Sequence, residues 1–152
     1  LSNFLVIDRD ELPHPKAQAI VEAHGVPGEF RTDHTQWIVL IEDKGVPFAF
    51  VSMAKIDEHH IVEHLAVRSG FWTARRRKIL ADLFDRFVEE AWRRGVPCIL
   101  TRLDRKAKNV LRLTKFCEQW HFVRYKKGTR WAWWVLYREW SPLWHRMAEA
   151  QT

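Results

Sequence analysis

The chain has 152 residues, 47% of them apolar, and a formal net charge of +6. That length fits one domain with a normal buried core, and no stretch is long and apolar enough to span a bilayer as a helix. The charge is unevenly spread, with six Lys/Arg against 11 Asp/Glu in residues 1–73 and 19 against eight in residues 74–152. A basic C-terminal half suits a phosphate-bearing ligand, a nucleic acid or an acidic protein partner, and a solvated face is the plain alternative.

In chain order, residues 4–7 are a short apolar run expected as an edge strand. Pro13 and Pro15 lead into a helix over about 16–24, stopped by Gly25, and the polar stretch to Thr35 reads as loop or a second short helix. Residues 37–41 and 47–53 are rich in β-branched and aromatic side chains and flank a turn at 42–45, and a third strand follows at 61–67. These three make an antiparallel meander. The next helix runs to Arg94, with Ile79, Leu80, Leu83, Phe84, Phe87, Val88, Ala91 and Trp92 forming one apolar stripe. Thr73 suits its N-cap and Gly95 its C′ residue, while Asp82–Arg86, Glu89–Arg93 and Glu90–Arg94 are spaced for ion pairs. Residues 96–103 are a strand, parallel to 61–67 through the helical crossover. A helix over 109–120 and a hairpin of 122–125 with 130–137 follow. Ser141-Pro142 then opens a short terminal helix. The expected organisation is one domain over 1–138 with a helical tail at 139–152.

The segment around residue 70 is a natural anion site, because a strand feeds a helix N-terminus there. The helix opens with Arg75, Arg76, Arg77 and Lys78. Nearby, His59, His60 and His64 raise a metal reading, since alternation puts His60 and His64 on one face. No Cys or carboxylate stands at ligand spacing around them, so no metal is expected. Cys98 and Cys117, in segments read as strand and helix, suit the reduced thiols of a cytosol, and no basic-then-apolar leader opens the chain.

The order strand, helix, three antiparallel strands, long helix, strand, helix, hairpin resembles the GNAT superfamily of acyl-CoA-dependent N-acyltransferases over nearly the whole chain. The resemblance implies an α/β (α+β) fold. Its sheet is mixed and mostly antiparallel, about six or seven strands, with helices on both faces and a splayed central parallel pair. Leu65-Ala66-Val67 looks like the family's L-x-V strand, so Leu65 and Val67 would face the pantetheine arm of acetyl-CoA. The family's [Q/R]-x-x-G-x-[G/A] loop frame falls on Arg75, Lys78 and Leu80, with both glycines replaced. A side chain at those positions blocks close approach of backbone to phosphate. The four cations Arg75, Arg76, Arg77 and Lys78 either bind the pyrophosphate directly or mark a site without coenzyme.

Asn109 matches the family's Asn at the start of the following helix. Where the family has a Tyr that protonates the leaving thiolate, this chain has Phe116, or Cys117 one residue on. The family's Gly-Phe after that helix is His121-Phe122 here. Glu63 sits where some members place a general base for the acceptor amine, and a pairing with Lys55 is the structural alternative. The resemblance thus implies acetyl transfer to an amine in the cytoplasm.

Nine tryptophans are unusual for this length, and five lie between Trp131 and Trp144. Trp131, Trp133, Val135 and Tyr137 alternate with Ala132, Trp134 and Leu136. One face therefore packs on helices, and the other offers a docking surface, extended by Trp140 and Trp144, for a protein partner or second copy. Packing of the tail on the core is the alternative. The chain also resembles, more loosely, small GNAT-like proteins of short-tailed bacteriophages linked to virion assembly, which implies a non-catalytic, virion-associated role. Nucleic-acid binding is a further reading of Arg75, Arg76, Arg77, Lys78 and the run Arg102, Arg105, Lys106, Lys108, with no recognised motif behind it.

Overall fold

The computed structural model describes residues 2–23, 33–68, 73–108 and 110–151. The expected helix stop at Gly25, the turn at 69–72 and Asn109 lie outside the described residues. Seven strands form one sheet in the order β1-β2-β3-β4-β5-β7-β6. They are β1 (Ser2–Asp8), β2 (Thr35–Asp43), β3 (Val46–Ile56), β4 (His59–Val67), β5 (Cys98–Asp104), β6 (Val123–Lys127) and β7 (Trp131–Tyr137). Four helices accompany them, namely α1 (Pro15–Ala23), α2 (Ala74–Arg93), α3 (Val110–Gln119) and α4 (Pro142–Ala150). β4 and β5 are parallel and the other neighbours antiparallel. This is the mixed sheet expected from the sequence.

Local chemistry sets the turns. Lys44 and Gly45, between β2 and β3, both take positive φ (52° and 78°), the mirror-image turn whose twist matches paired strands. Thr73 caps α2 by accepting from the Arg76 amide at 3.1 Å, and Gly95 ends it with φ of 79°.

The sheet has two cores. On one face α2 buries the predicted stripe of Ile79, Leu80, Leu83, Phe84, Phe87, Val88, Ala91 and Trp92 against Val39, Val51, Met53 and Ile99. Each Leu or Phe fully buried there contributes about 1.5–3 kcal/mol. Phe116 and Trp120 of α3, and Leu143, Trp144 and Met147 of α4, pack on the same core. On the other face Ala17, Ile20 and Val21 of α1 meet Ile38, Leu40 and Phe50.

Three expectations change. Arg86 pairs with Glu90 at 3.0 Å and Asp82 with Lys78, so the Asp82–Arg86 pair is replaced by two others on the same helix. Ser141 precedes α4 without capping it, because its hydroxyl accepts from the buried Trp92 Nε1 at 3.1 Å. Trp134 is 6% exposed and faces the α2 core, and Trp144 packs there too. The strand alternation that exposes Trp131 and Trp133 turns Trp134 inward, so it offers no docking surface.

Candidate functional site

β4 and β5 share only two register pairs, His60 with Ile99 and Ile61 with Leu100. Beyond them the strands diverge, and a cavity of about 430 Å³ fills the wedge. Val62, Leu65 and Val67 of β4 line one wall, Thr101 and Leu103 of β5 another, and Leu80, Phe84, Phe116, Cys117 and Phe122 close it. The cavity is thus mainly apolar. Arg102 and Arg112 add cationic groups to its lining.

A bulge marks the point of divergence. Met53 of β3 pairs with Val62 and Ser52 with His64, so Glu63 is an extra residue without a counterpart. The Ser52 hydroxyl takes over the ladder's task by accepting from the His64 amide at 3.0 Å. Glu63 lines the cavity with its side chain 15% exposed, and its Oε1 accepts from Thr35 Oγ1 at 2.6 Å and Ser52 Oγ at 3.4 Å. Thr35 and Ser52 are themselves fully buried. The anticipated alternative partner of Glu63, Lys55, pairs instead with Glu58.

The same bulge corrects the histidine reading. His60 pairs with Lys55 on one side of it and His64 with Ser52 on the other, so the two rings lie on opposite faces of the sheet. Burial, helped by the charge of Lys55, holds the His60 pKa below its usual value. Among the described residues no three His, Cys, Asp or Glu side chains are grouped to hold a metal.

The cations at the start of α2 are mostly engaged. Arg75 makes two bonds to Asp43, of 2.7 and 2.5 Å, joining α2 to the end of β2. These bonds hold the Asp43 carboxyl below its ordinary pKa. Lys78 is paired with Asp82, and the Arg76 guanidinium lies 5.5 Å from the Phe48 ring centre. Arg77 is exposed, and neither it nor Arg76 has a carboxylate partner among the described residues. α2 begins at Ala74, so the frame positions Lys78 and Leu80 stand in its second turn, where amides are consumed by the helix ladder. Backbone contact to a phosphate is therefore restricted to the first turn, where Thr73 already holds the Arg76 amide.

Cys117 reaches the cavity from α3, but burial, helped by Glu118, pushes its thiol up to about 12. Such a thiol holds its proton more tightly than a leaving thiolate near pKa ~8.5 attracts it. Both tyrosines lie elsewhere, Tyr125 on β6 and Tyr137 on β7. Sequence reasoning missed Thr35 and Ser52 as partners of Glu63, and Arg112 as a cavity residue. Ser52 left a trace, being a hydroxyl inside an otherwise apolar strand. Thr35 left none, because it stood at the end of an unpatterned segment.

No family model matches this sequence, and no curated protein is similar to it. Solved structures do match. The ribosomal-protein-S18-alanine N-acetyltransferase of Escherichia coli is 15% identical, with 89% of this chain and 91% of that one covered and a TM-score of 0.60. An acyl-CoA N-acyltransferase of Pseudomonas aeruginosa is 10% identical, with 89% and 99% covered and a TM-score of 0.64. The PaiA N-acetyltransferase of Thermoplasma acidophilum, solved with coenzyme A, is 9% identical, with 85% and 74% covered and a TM-score of 0.55. At these identities the likeness is one of architecture, and the chain has the GNAT fold of the acyl-CoA N-acyltransferases.

Proposed function

We propose that the protein is an N-acyltransferase that takes an acyl group from acyl-CoA and delivers it to an amine. The wedge between β4 and β5 carries this reading, because it is apolar, about 430 Å³, and has one carboxylate in its wall. A pantetheine arm would lie along Leu65 and Val67, and the pyrophosphate would meet Arg76 and Arg77 as direct ion contacts in place of a glycine loop. Arg75 and Lys78 contribute less, since Asp43 and Asp82 already neutralise them.

Glu63 is the base. The amine nitrogen bonds to the thioester carbonyl carbon as the carbon–sulfur bond breaks, and the amine proton passes to Glu63. Thr35 and Ser52 fix the carboxylate for that transfer. The leaving sulfur is protonated from solvent, because the Cys117 thiol is too weak an acid. A second reading, a GNAT-fold docking protein without turnover, is favoured by the early start of α2 and by the engagement of Arg75.

Calorimetry with acetyl-CoA separates these readings. Micromolar binding is expected, lost on Leu65→Trp, which fills the cavity. Glu63→Gln should keep that binding and cut transfer to an amine about 100-fold or more. Absence of heat at millimolar acetyl-CoA would overturn the enzyme reading, and binding without turnover on a broad amine panel would favour the second.

A further inference from the structure

Residues 101–131 hold ten Lys/Arg against two Asp/Glu, and all ten cations are exposed. The fold gathers many of them at one corner. The Arg105 amide bonds to the Arg130 carbonyl at 2.7 Å and the Arg105 side chain to the Gly128 carbonyl, so the β5–α3 and β6–β7 turns lie side by side. All five residues of β6 are exposed, and three of them are Arg124, Lys126 and Lys127. Asp104, paired with Arg130 at 3.5 Å, is the nearby acid in that corner.

Aromatic rings are interleaved with this charge. The Arg102 guanidinium lies 4.4 Å from the Trp131 ring centre and 5.9 Å from that of Trp133, and Arg130 stacks on Trp131 at 4.9 Å. An arginine stacked on an indole still presents its N–H fork to a phosphate. A register shift between Arg124 and Lys126 leaves Tyr125 without a partner on β7, and its ring is 55% exposed.

We propose that this corner, the β6–β7 hairpin with the adjoining β5–α3 turn, is a docking surface for single-stranded nucleic acid. Exposed cations would track the phosphates, and Tyr125, with the rims of Trp131 and Trp133, would stack on bases. A second copy of the chain is disfavoured, because an edge strand with three cations among five residues repels its own image. Base stacking also needs unpaired bases, which excludes a duplex as the main ligand. The surface is separate from acyl transfer and stands or falls without it.

Fluorescence anisotropy of the full chain with a labelled oligothymidylate of about 20 nucleotides tests this. Binding should weaken at least tenfold between about 50 mM and about 200 mM salt. Lys126→Glu with Lys127→Glu should weaken it at least tenfold and reduce the salt slope by about one. Tyr125→Ala should cost about tenfold without altering the salt slope. Since these side chains are exposed, a thermal melt is expected to show all variants folded.

No binding at low salt would overturn the proposal, as would binding untouched by the β6 variants or displaced by acetyl-CoA. Polyglutamate binding as tightly as the oligonucleotide would overturn it in favour of an acidic protein partner. Equal affinity for a duplex would remove the stacking role.

Discussion

Helix α2 and the C-terminal hairpin are both crowded with cations, yet they differ in what those cations do. Along α2, Lys78, Arg86, Arg93 and Arg94 each face a carboxylate one turn away, and Arg75 reaches across to Asp43. Along β6, Arg124, Lys126 and Lys127 have no carboxylate partner among the described residues. In the helix, charge is spent internally on fixing α2 against β1 and β2, with Arg94 also bonded to Asp8 at 2.7 Å. On the hairpin it remains available to an outside anion. The four consecutive cations at the start of α2 are the denser cluster in the sequence, and the weaker one electrostatically.

Three substitutions put that contrast at risk. Trp134→Ala is expected to have the largest effect, about 3–5 kcal/mol of stability, because its ring is buried against the α2 core. A loss comparable to that of an exposed residue, in denaturant melts, would mean that the hairpin is not anchored by this face. Glu90→Gln should cost about 1.5–3 kcal/mol, since Glu90 bonds both Arg86 and Arg94. Burial pushes the Glu90 carboxyl up, but the bonds from Arg94 and Arg86 outweigh it and hold its pKa below the ordinary value. A lowered pKa gives stability that is full above the unfolded carboxylate value of about 4.3 and is lost as pH falls through the folded one. The wild type and the Gln variant should therefore converge in stability as the pH is lowered through that window, and a difference unchanged by acid would refute the assignment. The smallest effect is that of Lys126→Glu with Lys127→Glu on stability, within about 0.5 kcal/mol. A large loss there would show that these cations are structural after all, and would erase the contrast with α2.

Much of the architecture was legible from pattern alone. The α2 stripe, the β2–β3–β4 meander and the alternation of the hairpin each carry a period that a single segment reveals, and all three appear in the structure. The resemblance placed the splay between β4 and β5, and the strands part after Ile61. Less could be read at the site itself. A bulge inserts one residue into the alternation without any change in composition, so the faces of His60 and His64 were misjudged. Partners distant in sequence, such as Asp43 for Arg75 and Thr35 for Glu63, are 32 and 28 residues away and leave no local periodicity. Trp134 and Trp133 are adjacent and chemically identical, and only their opposite sides of β7 separate a core residue from a surface one.

The bulge in β4 also has a genealogical reading. Val62 and Leu65 face the same side of the sheet because Glu63 is not counted by the ladder, so removing that single codon would leave a strand of ordinary alternation. Such a strand loses the extra bend and twist a bulge imparts, and with them a reason to part company with β5 just after Ile61. One inserted residue can therefore account for both the opening and the carboxylate in its wall. An ancestral sheet without it would have had neither, and a site of this kind could arise in one mutational event.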